Sequence, residues 1–307
     1  MGRVSRLSSL CYGKIILQRG DLRAIFCESC GYAHLSPRPS QKELDRLYKD
    51  EYYQSYHAGW FDKEAHEFWY WRRVYQQRLR QIERLIDVNP EWHCYLLDYG
   101  AGCGWFVQAN NKEIGWSVFG CEPNAYARDY AKHHTTASIV SDCSDRLIGG
   151  YADLTSIHTS LVLEHLLDPL DFLKRAYDSL LPGGVLCIVV PNEFNPLQFE
   201  LMRRFDYTPL HEHHINYFSL ASLRRLVEQA GFEVAHLSTT FPIEWFALHG
   251  LNYTRHPRAG LLAHWLRMAL EATALSIAPG RWEARKSAWA ARGIGREIEL
   301  YARRPRE

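Results

Sequence analysis

No apolar run of about 18 residues occurs in the 307-residue chain, so no membrane-spanning helix is expected. Charge of one sign is not in excess either. The formal net charge is +1, which gives no reason to expect nucleic acid as the main partner. Met1 to Ser9 lacks the long apolar core of a secretory signal, and no internal repeat or low-complexity segment is visible. Without an export signal, the eight cysteines read as reduced thiols of a cytoplasmic protein, not as a disulfide framework. Cys94, Cys103, Cys121 and Cys187 sit in or beside apolar segments and read as small core residues. With 47% hydrophobic and 23% charged residues, the chain has the composition of an ordinary globular protein, long enough for one large domain plus an attachment.

A further absence narrows the ligand. Leu96-Leu97-Asp98-Tyr99-Gly100-Ala101-Gly102-Cys103-Gly104-Trp105-Phe106 reads as a buried strand, a tight glycine turn and the start of a helix. Glycines at this turn let a nucleotide-like ligand lie against bare backbone. A dinucleotide fold places a third glycine where this chain has Trp105, which disfavours a nicotinamide cofactor. Next comes a short strand over Ser117–Cys121 that ends at Glu122, whose carboxylate could accept from both hydroxyls of a ribose. A third strand fits Ser138–Ser141 and runs into Asp142-Cys143. A fourth fits Ala152–Ile157, followed by Leu163-Glu164-His165-Leu166-Leu167-Asp168-Pro169. Pro182-Gly183-Gly184 reads as a turn, and Val185–Asn192 as a strand buried on both faces. Ser219 is a candidate N-cap of a helix ending near Gly231, and strands begin at Phe232 and Glu297.

The glycine turn and the blocks after it resemble the class I S-adenosylmethionine (SAM) dependent methyltransferases of the type 11/12/23 kind. The resemblance covers about two thirds of the chain. It implies an α/β fold, a doubly wound, Rossmann-like sheet of seven strands, the last antiparallel. It also implies SAM as cofactor, bound by Asp98, Gly100, Gly102, Gly104, Glu122, Asp142 and Cys143. Within it, Glu122 takes the ribose hydroxyls and Asp142 the adenine amino group. About two extra residues separate the fourth strand from the Leu-Glu-His-Leu block, which blurs the alignment around His158. The expected organisation is a small cysteine-containing module over 1–45, an aromatic-rich helical cap over 46–92, and the SAM-binding domain over 93–307.

Phe26-Cys27-Glu28-Ser29-Cys30-Gly31 is a C-x-x-C-G knuckle that can grip one zinc ion. With Leu35-Ser36-Pro37-Arg38-Pro39-Ser40 it resembles a module ahead of some bacterial methyltransferases, including ones that modify sugars. The full module has a second C-x-x-C about twenty residues upstream. Here only Cys11 is present, and Lys14 stands where its partner would be. Cys11, Cys27 and Cys30 therefore give three zinc ligands; His34 could be a fourth, though its spacing does not demand it. The module is either degenerate and metal-free or holds zinc with an unusual ligand.

Methyl transfer to a hydroxyl needs an aligned nucleophile and a group to take its proton, and histidine suits the second task. His165 follows the fourth strand, and His213 and His214 lie in His211-Glu212-His213-His214, after the fifth. The second cluster could supply a general base, hold a divalent metal, or only shape the pocket. His165 could equally fix its loop against the sheet. The aromatic residues between Tyr48 and Tyr75 could form a packed cap, line an acceptor pocket, or both. An insertion over about 243–295 carries a helical pattern between Leu261 and Ile277 that could pack on the sheet, cover the pocket, or make a homodimer contact. Arg281, Arg285, Lys286, Arg292 and Arg296 read as a solvated face, with recognition of an anionic acceptor as the alternative.

The expected function is transfer of a methyl group from SAM to a small-molecule acceptor, on a hydroxyl of a sugar or secondary metabolite. A SAM-binding or interaction module without catalysis, and a nicotinamide-dependent enzyme, are the competing readings.

Overall fold

A computed structural model describes residues 11–48, 52–53, 59–88, 93–141, 154–211 and 213–306. Met1–Ser9, Asp142, Cys143 and Glu212, all singled out above, lie outside the described residues. In chain order the elements begin with β1 (Gly13–Arg19), β2 (Leu22–Cys27), β3 (Ala33–Leu35), α1 (Gln41–Arg46) and α2 (Trp60–Leu85). Next come β4 (Cys94–Tyr99), α3 (Trp105–Asn110), β5 (Trp116–Cys121), α4 (Ala125–His134), β6 (Ile139–Val140), β7 (Leu154–Ser160), α5 (Pro169–Ser179) and β8 (Leu180–Pro191). The chain finishes with α6 (Pro196–Arg204), β9 (Asn216–Tyr217), α7 (Leu220–Gln229), β10 (Glu233–Thr239), α8 (Glu244–Leu248), α9 (Pro257–Ile277), α10 (Pro279–Ala291) and β11 (Glu297–Arg303).

Seven strands form the main sheet in the order β10-β11-β8-β7-β4-β5-β6. From β8 to β6 the neighbours run parallel, whereas β11 is antiparallel to both β8 and β10. This is the doubly wound α/β architecture the sequence implies. Its strands are apolar on both faces because helices cover both. Along β8, Leu186, Ile188 and Val190 join one core with α5 and α7, while Val185, Cys187 and Val189 join another beneath α2 and α3. Strand order turns between β4 and β7, and the glycine turn leaves β4 at that point, where open α/β sheets place their ligands.

Two boundaries differ from expectation. β7 runs to Ser160, so His158, Thr159 and Ser160 are strand residues beyond the expected end at Ile157. The Pro182–Gly184 turn lies inside β8 as a bulge: pairing passes from Leu154–Leu180 to Ser156–Val185, with Gly183 at φ 85°. The insertion holds three helices. α9 packs its Met268 and Ala272 against Tyr70 of α2, not on the sheet, and leaves Leu262, Trp265 and Leu270 half exposed. The sheet is covered there by α10 instead.

Lys286 corrects the reading of the α10 charges. It is 7% exposed and pairs with Glu299 of β11, which also accepts from Arg78 Nε of α2 at 3.0 Å. Neither a solvated face nor an acceptor contact describes this lysine. It fixes α10 to the sheet, as Arg78 fixes α2.

β1, β2 and β3 form an antiparallel sheet whose fourth strand is β9, from beyond the main sheet's β8. Arg38 reinforces the join, donating to the Leu167 carbonyl at 2.9 Å and to Asn216 Oδ1 at 3.3 Å. Among the described residues no helix is long and apolar enough to cross a membrane.

Candidate active site

Gly100, Gly102 and Gly104 all take positive φ, at 76°, 54° and 82°. At Gly100 a Cβ would stand 2.5 Å from Val162 Cγ2, so only glycine lets the ends of β4 and β7 approach. Gly104 caps α3, and Trp105 after it is buried against Phe68 of α2 at 4.9 Å between ring centroids. Trp105 thus packs against the aromatic helix α2.

Glu122, at the tip of β5, is 5% exposed. Its Oε2 accepts from Gly102 N and its Oε1 from Asn124 N, both at 2.9 Å. Burial nevertheless pushes its carboxyl up to about 7. Asp98 Oδ1 accepts from His158 Nδ1 at 2.6 Å. His158 is stacked on Phe106 at 3.8 Å, and burial lowers its pKa, so the ring is neutral with Nδ1 protonated.

These groups open into a cavity of about 1230 Å³. Asp98, Gly100 and Glu122 line it, as do Tyr53, Trp60 and Trp71 of the aromatic segment. Glu164, His165, Glu193 and His214 line it too. α9 contributes His264 and Arg267. The helix is tied to α2 there: His264 Nε2 lies 2.7 Å from Glu67 Oε1, and Arg267 Nη1 donates to Tyr70 Oη at 2.8 Å. The aromatic segment thus both packs and lines. Tyr70 is buried in the α2–α9 contact, while Trp71 faces the cavity.

The histidines separate by position. His165, on a 3-10 turn over Leu163–His165, and His214 line the cavity. His213 contributes its backbone carbonyl, which accepts from Tyr48 Oη at 3.0 Å and lies 2.8 Å from His165 Nδ1. His214 Nδ1 is 2.8 Å from Glu193 Oε1, and this carboxylate outweighs burial to raise the imidazole's pKa.

Cys11, Cys27, Cys30 and His34 converge, with one ligand atom of each within 4.8 Å of the others. Cys11 Sγ and Cys30 Sγ are 3.7 Å apart. Tetrahedral zinc with Zn–S of about 2.3 Å places two sulfurs about 3.8 Å apart, so the spacing fits. His34 Nδ1 lies 2.7 Å from the Leu35 carbonyl, while Nε2 is buried with no hydrogen-bond partner among the described residues. One ring nitrogen held by a carbonyl and the other unpaired is the pattern of a ligating histidine. Lys14, at the missing cysteine's position, is exposed on β1.

Comparisons with known proteins bear on the larger site. A family model described as "Methyltransferase domain" matches residues 68–237, more than half of the chain. The chain belongs to this methyltransferase family. A Mycolicibacterium smegmatis protein named "Probable S-adenosylmethionine-dependent methyltransferase" is 38% identical over 73 residues, spanning 24% of this chain and 26% of that protein. Among solved structures, a chain of the complex between the Haloferax volcanii Trm112 methyltransferase activator and a methyltransferase is 16% identical. It covers 87% of this chain and 100% of its own, with a TM-score of 0.49. Haemonchus contortus phosphoethanolamine N-methyltransferase 2, in complex with SAM, is 13% identical over 94% of this chain and 71% of its own, with a TM-score of 0.46.

Sequence reasoning passed over two residues of the methyltransferase cavity. His158 is a polar residue inside an apolar strand, a signal in itself for a buried partner. Glu193 follows Pro191-Asn192 at the end of the fifth strand, the same kind of strand-end position that singled out Glu122.

Proposed function

We propose that this protein transfers a methyl group from SAM to a small-molecule acceptor, with a sugar or secondary-metabolite hydroxyl as the acceptor group. The observation that carries the reading is one cavity lined by the glycine turn, by Glu122 and by the His165–His214 pair. Its volume exceeds what one drug-sized ligand needs and leaves room for a cofactor and an acceptor together. Glu122 accepts the ribose hydroxyls, and Gly100 and Gly102 let the cofactor lie on the backbone. Asp98, fixed by His158, sits where β4 enters the turn. The Leu161–His165 segment connects the two groups, because Val162 rests on Gly100 while Glu164 and His165 line the same cavity. Acceptor hydroxyls suit the part lined by carboxylates and imidazoles, which can take their protons in hydrogen bonds.

Calorimetric titration of S-adenosylhomocysteine into the full chain tests the reading, followed by transfer of labelled methyl from SAM to metabolite extracts. Binding with transfer is expected. Folded protein that binds no S-adenosylhomocysteine overturns it. Binding without transfer to any extract supports a non-catalytic SAM-binding module.

The pH dependence of that titration is also set. In the ligand-free protein Glu122 titrates at about 7, so above that value it is an anion and below it the carboxyl is protonated. Ribose binding favours the anion, so a proton must leave when binding occurs at lower pH. Affinity is expected to fall by up to about tenfold per unit as pH drops below 7. Glu122→Gln removes that dependence; an unchanged slope in the variant refutes the assignment.

In the amino-terminal module, Cys11, Cys27, Cys30 and His34 hold one structural zinc ion. One equivalent of zinc by elemental analysis is expected in the wild type. It is expected to be lost in His34→Ala and kept in His34→Cys, which restores a four-thiolate site. Metal-free wild type that retains its thermal stability contradicts this.

A further inference from the structure

In the part of the cavity lined by carboxylates and imidazoles, Glu164 is 1% exposed, and neither carboxylate oxygen has a hydrogen-bond partner on another described residue. A buried carboxyl without donors is costly and calls for something that satisfies it. Ligand atoms of Glu164, His165 and His214, one from each, lie within 4.8 Å of one another. His165 Nε2 is 3.9 Å from Glu164 Oε1, too far for a hydrogen bond and close enough for both to share an ion.

Both imidazoles are braced from behind. His165 Nδ1 lies 2.8 Å from the His213 carbonyl and 2.6 Å from Tyr48 Oη. His214 Nδ1 lies 2.8 Å from Glu193 Oε1. A carbonyl behind one ring and a carboxylate behind the other fix tautomer and orientation, which is how proteins present Nε2 to a metal.

We infer that Glu164, His165 and His214 hold a divalent cation in this part of the cavity. Two imidazoles and one carboxylate suit manganese, iron, cobalt, nickel or zinc, and disfavour magnesium and calcium, which prefer all-oxygen shells. Three protein ligands leave coordination positions open toward the cavity. Those positions take an oxygen of the acceptor, a hydroxyl or a carboxylate. This last step rests on the methyl-transfer reading; the cation site itself does not.

Manganese alone is the probe, because a three-thiolate cluster such as the amino-terminal one binds this hard ion poorly. The full chain is dialysed against a weak chelator that leaves the thiolate-bound zinc in place, and loss of the free manganese spin-resonance signal measures binding. One manganese per chain is expected. Glu164→Gln and His214→Ala should each weaken binding by about 100-fold or more, and Glu193→Gln, which acts through His214, by roughly 10–100-fold. S-adenosylhomocysteine binding in the same variants reports that they are folded. Wild-type protein that binds S-adenosylhomocysteine but no manganese, or a folded Glu164→Gln that binds manganese as the wild type does, overturns the cation site and leaves the methyl-transfer reading standing. Manganese binding that is lost in Glu164→Gln, by a wild type that takes no S-adenosylhomocysteine, supports the cation site and sinks the methyl-transfer reading.

Discussion

Glu122→Ala is expected to weaken S-adenosylhomocysteine binding by at least about 100-fold. Hydrogen bonds to a charged group contribute about 1.5–3 kcal/mol each. Two ribose hydroxyls on one carboxylate therefore amount to about 3–6 kcal/mol, and each 1.4 kcal/mol is tenfold in affinity. The loss is compounded because the same carboxylate accepts from the Gly102 and Asn124 amides and so holds the turn that the ligand lies on. Asp98 needs a more careful substitution. Alanine there would leave the buried His158 Nδ1 without its acceptor and confuse stability with binding. Asp98→Asn keeps an acceptor for His158 and removes only the charge. Calorimetry beside thermal melts separates the effects: wild-type affinity in a folded Glu122→Ala would mean that the ribose lies elsewhere.

The largest effect on stability is expected at Glu299. Breaking a buried ion pair from one side costs about 3–5 kcal/mol, because the remaining charge keeps its desolvation penalty. Glu299→Gln leaves Arg78 without its carboxylate, whereas Lys286 keeps Glu283 at 3.1 Å, so the lower part of that range applies. Burial alone would raise the Glu299 carboxyl; Lys286 and Arg78 reverse this and hold it down to about 2. Its value in the unfolded chain is about 4.3. The folded protein therefore binds the Glu299 proton less readily than the unfolded chain. The contribution is complete above about pH 4.3 and disappears as pH falls toward 2. Urea unfolding at neutral pH should show the loss in Glu299→Gln, and a series from pH 5 to 2 should show that component of the slope missing. Unchanged midpoints would mean that the Arg78–Glu299–Lys286 contact adds nothing to the hold of α2 and α10 on the sheet.

Local pattern and spacing carried much of the fold into the sequence. Strand positions were readable because a sheet covered on both faces demands short apolar runs, and Leu96-Leu97 and Val185–Val190 supply them. The glycine turn was readable because Gly100 and Gly104 each stand where a Cβ would collide with a neighbour. The end of β7 was misplaced because polar His158, Thr159 and Ser160 carry no apolar signal, although all three lie in the strand. Lys286 was misread because helical spacing shows which residues share a face but not what that face meets.

By itself, then, the sequence determined the strand-turn-helix order, the acid at the tip of β5 and the family to which those features point. Tertiary structure alone decided which distant side chains meet. His34 joins Cys11, Cys27 and Cys30 because β3 lies beside the knuckle, and Glu164, His165, Glu193 and His214 share one cavity although they come from separate segments. Periodicity and spacing act over a few residues. Burial of a charge or convergence of ligands depends on contacts between segments tens to hundreds of residues apart, as between Arg78 and Glu299, and only the folded chain fixes those.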